Sequence, residues 1–169
     1  MKVLKFGGTS VGSPERMKSV AKLITDGEKK IVVLSAMSGT TNSLVEISDY
    51  LYKKNPDGAN DVINKLEQKY KQHLKELFTT DEYHQKTQEV LDGVFASIRA
   101  YTKDLFTLFE EKVVLAQGEL MSTNMVTNYL QEQLGEELPI HWIKDIEVYA
   151  ASIVFNSIED YGATISFGA

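Results

Sequence analysis

The chain opens on Val3-Leu4-Lys5-Phe6, a short apolar run that stops at Gly7-Gly8. That pattern predicts a short buried strand ended by a turn. Ser13 and Pro14 then announce a helix, because Ser is a good N-cap and Pro at the first helical position loses no needed hydrogen bond. Met17, Val20, Ala21 and Ile24 follow at helical spacing and form one apolar face, and Asp26-Gly27 ends it. Ile31-Val32-Val33-Leu34 is wholly apolar and largely β-branched, the pattern of a strand covered on both faces. Strand, Gly-rich loop, helix and strand make a βαβ unit, whose two strands are predicted to run parallel.

Ser35-Ala36-Met37-Ser38-Gly39-Thr40-Thr41-Asn42 is a second polar loop directly after a strand. A helix starting near Asn42 follows, with Leu44, Ile47, Ser48 and Leu51 on one face, and Asn55-Pro56-Asp57-Gly58 breaks it. Residues 59–134 then show little strand character. Val62, Leu66, Tyr70 and Leu77 predict one helix face; Leu91, Val94, Phe95, Ile98, Leu105 and Leu108 predict a second. A third helix is expected over 113–134, with Met121, Met125, Val126, Tyr129 and Leu130 inward and Gly135 and Pro139 closing it. Ile140-His141-Trp142-Ile143 has strand character, as do 146–155 and 164–167, giving four or five strands in all.

Composition narrows the possibilities. The 169 residues suit one soluble domain, with 43% hydrophobic and 25% charged residues. Lys and Arg total 18 against 24 Asp and Glu, a formal net charge of −6. An electrostatic nucleic-acid binder is normally basic, so no nucleic-acid partner is expected. The absence of cysteine removes disulfides, thiolate metal sites and cysteine nucleophiles. No apolar run is long enough for a bilayer, and Gly7-Gly8 comes too early for a signal-peptide core. The expectation is a cytoplasmic protein with no membrane partner.

Three segments carry candidate chemistry. In Lys5-Phe6-Gly7-Gly8-Thr9-Ser10 the glycines allow close backbone approach, successive N–H groups form an anion-binding concavity, and Lys5 adds a full charge. The Lys precedes the glycines, so this is not a Walker A loop; a plain tight turn is the competing reading. The second loop brings Ser35, Ser38, Thr40 and Thr41 hydroxyls, with Gly39 permitting close approach. Adjacent parallel strands deliver such loops to one sheet edge. A Ser/Thr-rich N-cap, through Thr41 or Asn42, is compatible with that role. In Gln117-Gly118-Glu119, set in an apolar helix, a partly buried carboxylate needs a cationic partner. A ligand ammonium and an internal salt bridge are both open. His73, His84 and His141 share no metal-ligand spacing, and the run Lys65–Lys71 reads as a solvated helix face.

These segments, in this order, resemble the N-terminal part of aspartate kinases of the amino-acid kinase family. Lys5-Phe6-Gly7-Gly8-Thr9-Ser10-Val11 is similar to the family's opening motif, Ser35 to Asn42 to its second loop, and Gly118-Glu119-Leu120-Met121-Ser122 to its Gly-Glu segment. The resemblance implies a three-layer α/β/α sandwich with a mostly parallel sheet, here incomplete and carrying a helical insertion over 59–134. It implies ATP-dependent phosphorylation of L-aspartate to 4-phospho-L-aspartate, with ATP and Mg; an incomplete sheet leaves an edge and apolar helix faces for another copy to cover, so a homo-oligomer is expected. By the same resemblance Lys5, Gly7, Gly8, Ser10 and Ser35 contact ATP, with Lys5 catalytic. Thr41, Glu119, Ser38 and Gly39 hold aspartate, with Glu119 toward its ammonium, and no metal-ligating side chain is assigned.

The family's downstream Gly-Arg-Gly-Gly-Ser-Asp-type segment does not occur in this sequence, and residues 144–169 show no family pattern. The expectation is one partial kinase domain over 1–169 with a divergent tail, an incomplete catalytic unit on its own. The alternative, of another class, is a non-catalytic fragment or degenerate paralogue acting as a phosphate-binding or oligomerisation module.

Overall fold

A computed structural model describes residues 2–28, 30–103 and 105–135. Strand β1 (Lys2–Phe6) leads through helix α1 (Pro14–Ile24) to strand β2 (Lys30–Leu34), and the two strands pair in parallel with Lys2 opposite Lys30 and Phe6 opposite Leu34. The predicted βαβ unit is therefore present. Ser13 sits in extended backbone and its side chain accepts from the Arg16 N–H, while Pro14 occupies the first helical turn. Met17, Val20 and Ala21 are buried, and Ile24 packs partly against the same core. The strands are less covered than expected. Val3 is 65% exposed and β2 is half-buried up to Leu34, because helices cover one face of this two-stranded sheet among the described residues. The further strands expected at 140–143, 146–155 and 164–167 lie outside the described residues.

Four helices follow: α2 (Thr40–Tyr52), α3 (Pro56–Leu77), α4 (Asp81–Ala100) and α5 (Leu108–Leu134). Asn55 caps α3 by accepting the Gly58 N–H at 3.0 Å, and Pro56 sits in the first turn. The α2–α3 break is thus a three-residue link, and α3 begins before residue 59. The predicted apolar faces meet in one core: Leu44 and Ile47 of α2, Leu66 and Tyr70 of α3, Leu91 and Phe95 of α4, Met121 and Met125 of α5. The Tyr70 and Phe95 rings meet edge to face at 5.9 Å, an orientation their quadrupoles favour.

One helix boundary differs from expectation. Leu105 and Leu108 do not continue the α4 face; they are 78% and 63% exposed. The helix ends at Ala100, and Thr107 with Glu110 forms a capping box that starts α5 five residues earlier than predicted. Phe106 takes the core position instead, against the Tyr52 and Tyr101 rings. Gly135 closes α5, as expected, with φ +74. At the other end of the bundle Glu132 accepts the Thr79 and Thr80 N–H groups at 2.9 and 2.7 Å, tying α5 to the start of α4.

Candidate functional site

Because β1 and β2 are parallel, the loops that follow them leave the sheet at the same edge. The first loop closes through a bond from the Ser10 N–H to the Gly7 carbonyl at 2.8 Å. Arg16 steadies it from α1, donating from Nη1 to the Thr9 carbonyl at 2.6 Å. Glycine is needed at position 8 for proximity: a β carbon there would stand 2.7 Å from the Ala36 carbonyl oxygen of the second loop. Ser38 Oγ donates to the Gly8 carbonyl at 3.0 Å and joins the two loops.

The second loop ends at Gly39, whose φ of +81 places it in the left-handed region. Gly39, not Thr41 or Asn42, is the N-cap of α2, and no side chain caps this helix. The helix begins at Thr40, so Thr41 and Asn42 fall inside its first turn and line the cleft. The Thr40 hydroxyl is withdrawn from the cleft and bonds the fully buried Tyr70 hydroxyl at 3.0 Å. Lys69, beside Tyr70 on α3, donates to the Ser38 carbonyl at 2.7 Å. The 65–71 segment is therefore not simply a solvated face. Leu66 and Tyr70 are core, Lys69 reaches the loop, and Glu67 pairs with Lys71 and Arg99.

The third wall is α5. Gly118 lets that helix approach the second loop, and Glu119 enters beside it at 5% exposure. Its Oε1 accepts the Ala36 N–H at 3.1 Å, and Ser122 Oγ donates to the Ser35 carbonyl at 2.7 Å. Oε2 of Glu119 is buried without a hydrogen-bond partner. Burial pushes the Glu119 carboxyl above its ordinary range, against the Ala36 N–H and the positive field of Lys5. Among the described residues no Lys or Arg forms an ion pair with Glu119, so the internal salt bridge left open by the sequence is not found.

The result is a cleft of about 410 Å³ lined by Gly8, Thr9, the 35–39 loop, Thr41, Asn42 and Glu119. Gly8, Ser35, Ser38, Gly39, Thr41 and Glu119, six of the predicted site residues, are in this lining. Lys5, Gly7 and Ser10 stand next to it; the Lys5 ammonium lies 3.9 Å from where a Gly7 β carbon would be. Chemically the cleft lining offers backbone N–H groups, hydroxyls and a buried carboxylate oxygen without a partner. It therefore suits a ligand that carries both anionic and cationic groups.

Arg16, Lys69, Tyr70 and Ser122 were given no site role by sequence reasoning. Tyr70 did sit on a predicted apolar face, where a hydroxyl needs a partner. His73 is half-buried with Nδ1 at 2.7 Å from the Lys69 carbonyl. His84 is also half-buried, and His141 lies outside the described residues. Among the described residues no group of three or more His, Asp or Glu could hold a metal ion, and no helix is long and apolar enough to cross a membrane.

A model of the amino acid kinase family matches residues 1–154. The chain is 35% identical over 139 residues to a chloroplastic aspartokinase 3 of Arabidopsis thaliana, covering 77% of this chain and 24% of that protein. It is 54% identical over 50 residues to an aspartate kinase of Pseudomonas fluorescens, covering 27% of this chain. Among solved structures, E. coli aspartokinase III in complex with aspartate and ADP matches with a TM-score of 0.65 and 25% identity, over 80% of this chain and 30% of that one. The aspartate kinase of Clostridium acetobutylicum shares the fold, with a TM-score of 0.58 and 21% identity over 77% of this chain and 29% of that one. The chain thus spans about a quarter of the length of the plant aspartokinases it matches.

Proposed function

This chain belongs to the amino acid kinase family, and from that premise we propose that its cleft serves the ATP-dependent phosphorylation of the L-aspartate side-chain carboxylate to 4-phospho-L-aspartate. The observation that carries the reading is the buried, unpartnered Oε2 of Glu119 at the cleft wall. An amino-acid ammonium supplies the partner that a buried carboxylate requires. Further support comes from the aspartokinase names of the relatives and from a similar structure that holds aspartate and ADP.

In this reading Glu119 binds the aspartate ammonium, and Thr41, Ser38 and Gly39 hold the rest of that substrate. The loop of Gly7, Gly8 and Ser10, together with Ser35, receives the nucleotide phosphates. The close approach at Gly8, where a β carbon would fill the space, fits a backbone cradle for phosphate oxygens. Lys5 neutralises charge that develops on the transferring phosphoryl group. The attacking aspartate carboxylate, with an ordinary pKa near ~4, is ionised at neutral pH, so the site needs no general base. Catalysis then rests on alignment and on neutralisation of phosphate charge. The described residues offer Mg no cluster of ligating side chains, and the phosphate reading stands on Lys5 and the backbone alone. The reading carries with it a cytoplasmic homo-oligomer.

Coupled release of ADP in the presence of Mg-ATP and aspartate tests it, with glutamate and no-substrate controls. Aspartate-dependent turnover is the expected result. Nucleotide binding without turnover would instead favour a phosphate-binding module, and absence of both would overturn the reading.

A further inference from the structure

Gly39, the left-handed residue at the cleft, is held from both sides by one helix. On one side the Lys69 ammonium donates to the Ser38 carbonyl at 2.7 Å; on the other the Tyr70 hydroxyl bonds the Thr40 hydroxyl at 3.0 Å. Lys69 and Tyr70 are consecutive residues of α3, some 30 positions along the chain from the loop they fasten. Lys69 is half-buried and lies outside the cleft lining, whereas Ser38 and Gly39 are part of it. The described residues contain no cis peptide bond. In a trans peptide the carbonyl and the following N–H point in opposite directions. A Ser38 carbonyl bonded to Lys69 therefore points the Gly39 N–H away from Lys69, which is not among the residues that line the cleft. No protein acceptor takes that N–H among the described residues.

We infer that Lys69 is a positioning residue of the cleft, which fixes the Ser38–Gly39 peptide with its N–H facing the ligand, while Tyr70 anchors the next residue. The inference rests on the aspartate reading above for the identity of the ligand. Withdrawal of the Lys69 charge from water, which lowers its pKa from the ordinary lysine value, agrees with a fixed contact to the loop. The carbonyl is the one hydrogen-bond partner the ammonium has among the described residues. Removing the ammonium frees this peptide to rotate and so weakens the half of the cleft that takes aspartate. The Gly7–Gly8 loop keeps its own brace from Arg16.

The test compares the wild-type chain with Lys69→Met, which keeps the stem, and Lys69→Arg, which keeps a cationic donor. L-Aspartate and ADP are titrated separately by calorimetry, and amide exchange is followed at Thr40 and Ser43, whose N–H groups bond the Met37 and Gly39 carbonyls. Lys69→Met is expected to weaken aspartate by about tenfold, the loss of one good hydrogen bond. It should leave ADP affinity unchanged and speed exchange at both amides, and Lys69→Arg should restore much of the aspartate affinity. Unchanged aspartate affinity, or an equal loss for aspartate and ADP, would overturn the inference. If the wild-type chain takes no aspartate, the aspartate reading falls by itself. The exchange comparison then decides the role of Lys69: faster exchange in Lys69→Met sustains it, and equal exchange ends it.

Discussion

Gly118 and Ala36 stand so close that a β carbon at 118 would lie 2.7 Å from the Ala36 methyl. The same atom would meet the Thr40 methyl at 3.2 Å and Leu44 Cδ1 at 3.4 Å. This closeness is why α5 carries a glycine in mid-helix, at a cost in propensity of roughly 1 kcal/mol against alanine.

Gly118→Ala therefore separates two forces by sign. Propensity alone would stabilise the chain by about 1 kcal/mol. Overpacking against a backbone-anchored methyl costs about 1–3 kcal/mol, and the clash should win. Urea denaturation should show a net loss of stability, partly recovered when Ala36→Gly is added. A raised midpoint for the single variant would show that the helix and loop part easily.

Glu119→Gln removes a buried charge while keeping an acceptor for the Ala36 N–H. The folded-state pKa of Glu119 is raised by burial. Its contribution to stability is thus fully present below the unfolded value and is lost as pH rises through the folded one. At neutral pH the glutamine variant should melt higher than the wild type, by the equivalent of about 1 kcal/mol. The difference should shrink as the solution is acidified toward the ordinary carboxylate range. Melting curves taken from acid to neutral pH check this, and a constant difference would exclude Glu119 as its source.

The same substitution should act oppositely on binding. A charged hydrogen bond to an ammonium is worth about 1.5–3 kcal/mol, so aspartate should bind some tenfold or more weakly to Glu119→Gln. Wild-type aspartate binding should also fade on acidification, as Glu119 takes up its proton. Affinity that ignores both the substitution and the pH would remove the ammonium from Glu119.

Lys5→Met should leave the fold intact, since Lys5 is exposed on β1 and forms no ion pair among the described residues. Its melting point should stay close to wild type, while ADP affinity falls by about 1.5–3 kcal/mol for a lost charged contact to phosphate. Any turnover the chain supports should be abolished. Wild-type kcat in this variant would end the catalytic role.

Tyr70→Phe leaves the Thr40 hydroxyl buried without its partner, at a cost of about 1–2 kcal/mol in stability. Thr40→Val added to it should lose much less than the sum of the two single changes. A double-mutant cycle by denaturation measures that coupling, and strict additivity would mean that the two hydroxyls do not interact in solution.

Much of this arrangement was legible because its signals are local. Ser13-Pro14 marks a helix start, Gly7-Gly8 a turn, and Ile31–Leu34 a strand, each through residues adjacent in the chain. Parallel pairing then carries two local loops to one place. What escaped was of two kinds. Lys69 and Tyr70 act on residues some 30 positions away, and no spacing rule connects a helix lysine to a loop carbonyl. The α4–α5 boundary was missed for a different reason. Leu105 and Leu108 continue the helical period beyond Ile98, so the apolar pattern runs on through the break. The Thr107–Glu110 capping box was the local signal that outweighed it. At α2 the side chains of Thr41 and Asn42 have the chemistry of a cap, yet the backbone freedom of Gly39 sets it.

The bonds from Ala36 to Glu119 and from Ser122 to Ser35 join residues 83 and 87 positions apart. Contacts so distant in sequence form slowly, since a long stretch of chain must first be brought back on itself. During synthesis the β1–α1–β2 unit can pair once Leu34 is free, yet its second loop has no wall until the middle of α5 emerges. The cleft is accordingly a late product of folding, and a chain that stops short of α5 can hold both loops and still lack its third wall.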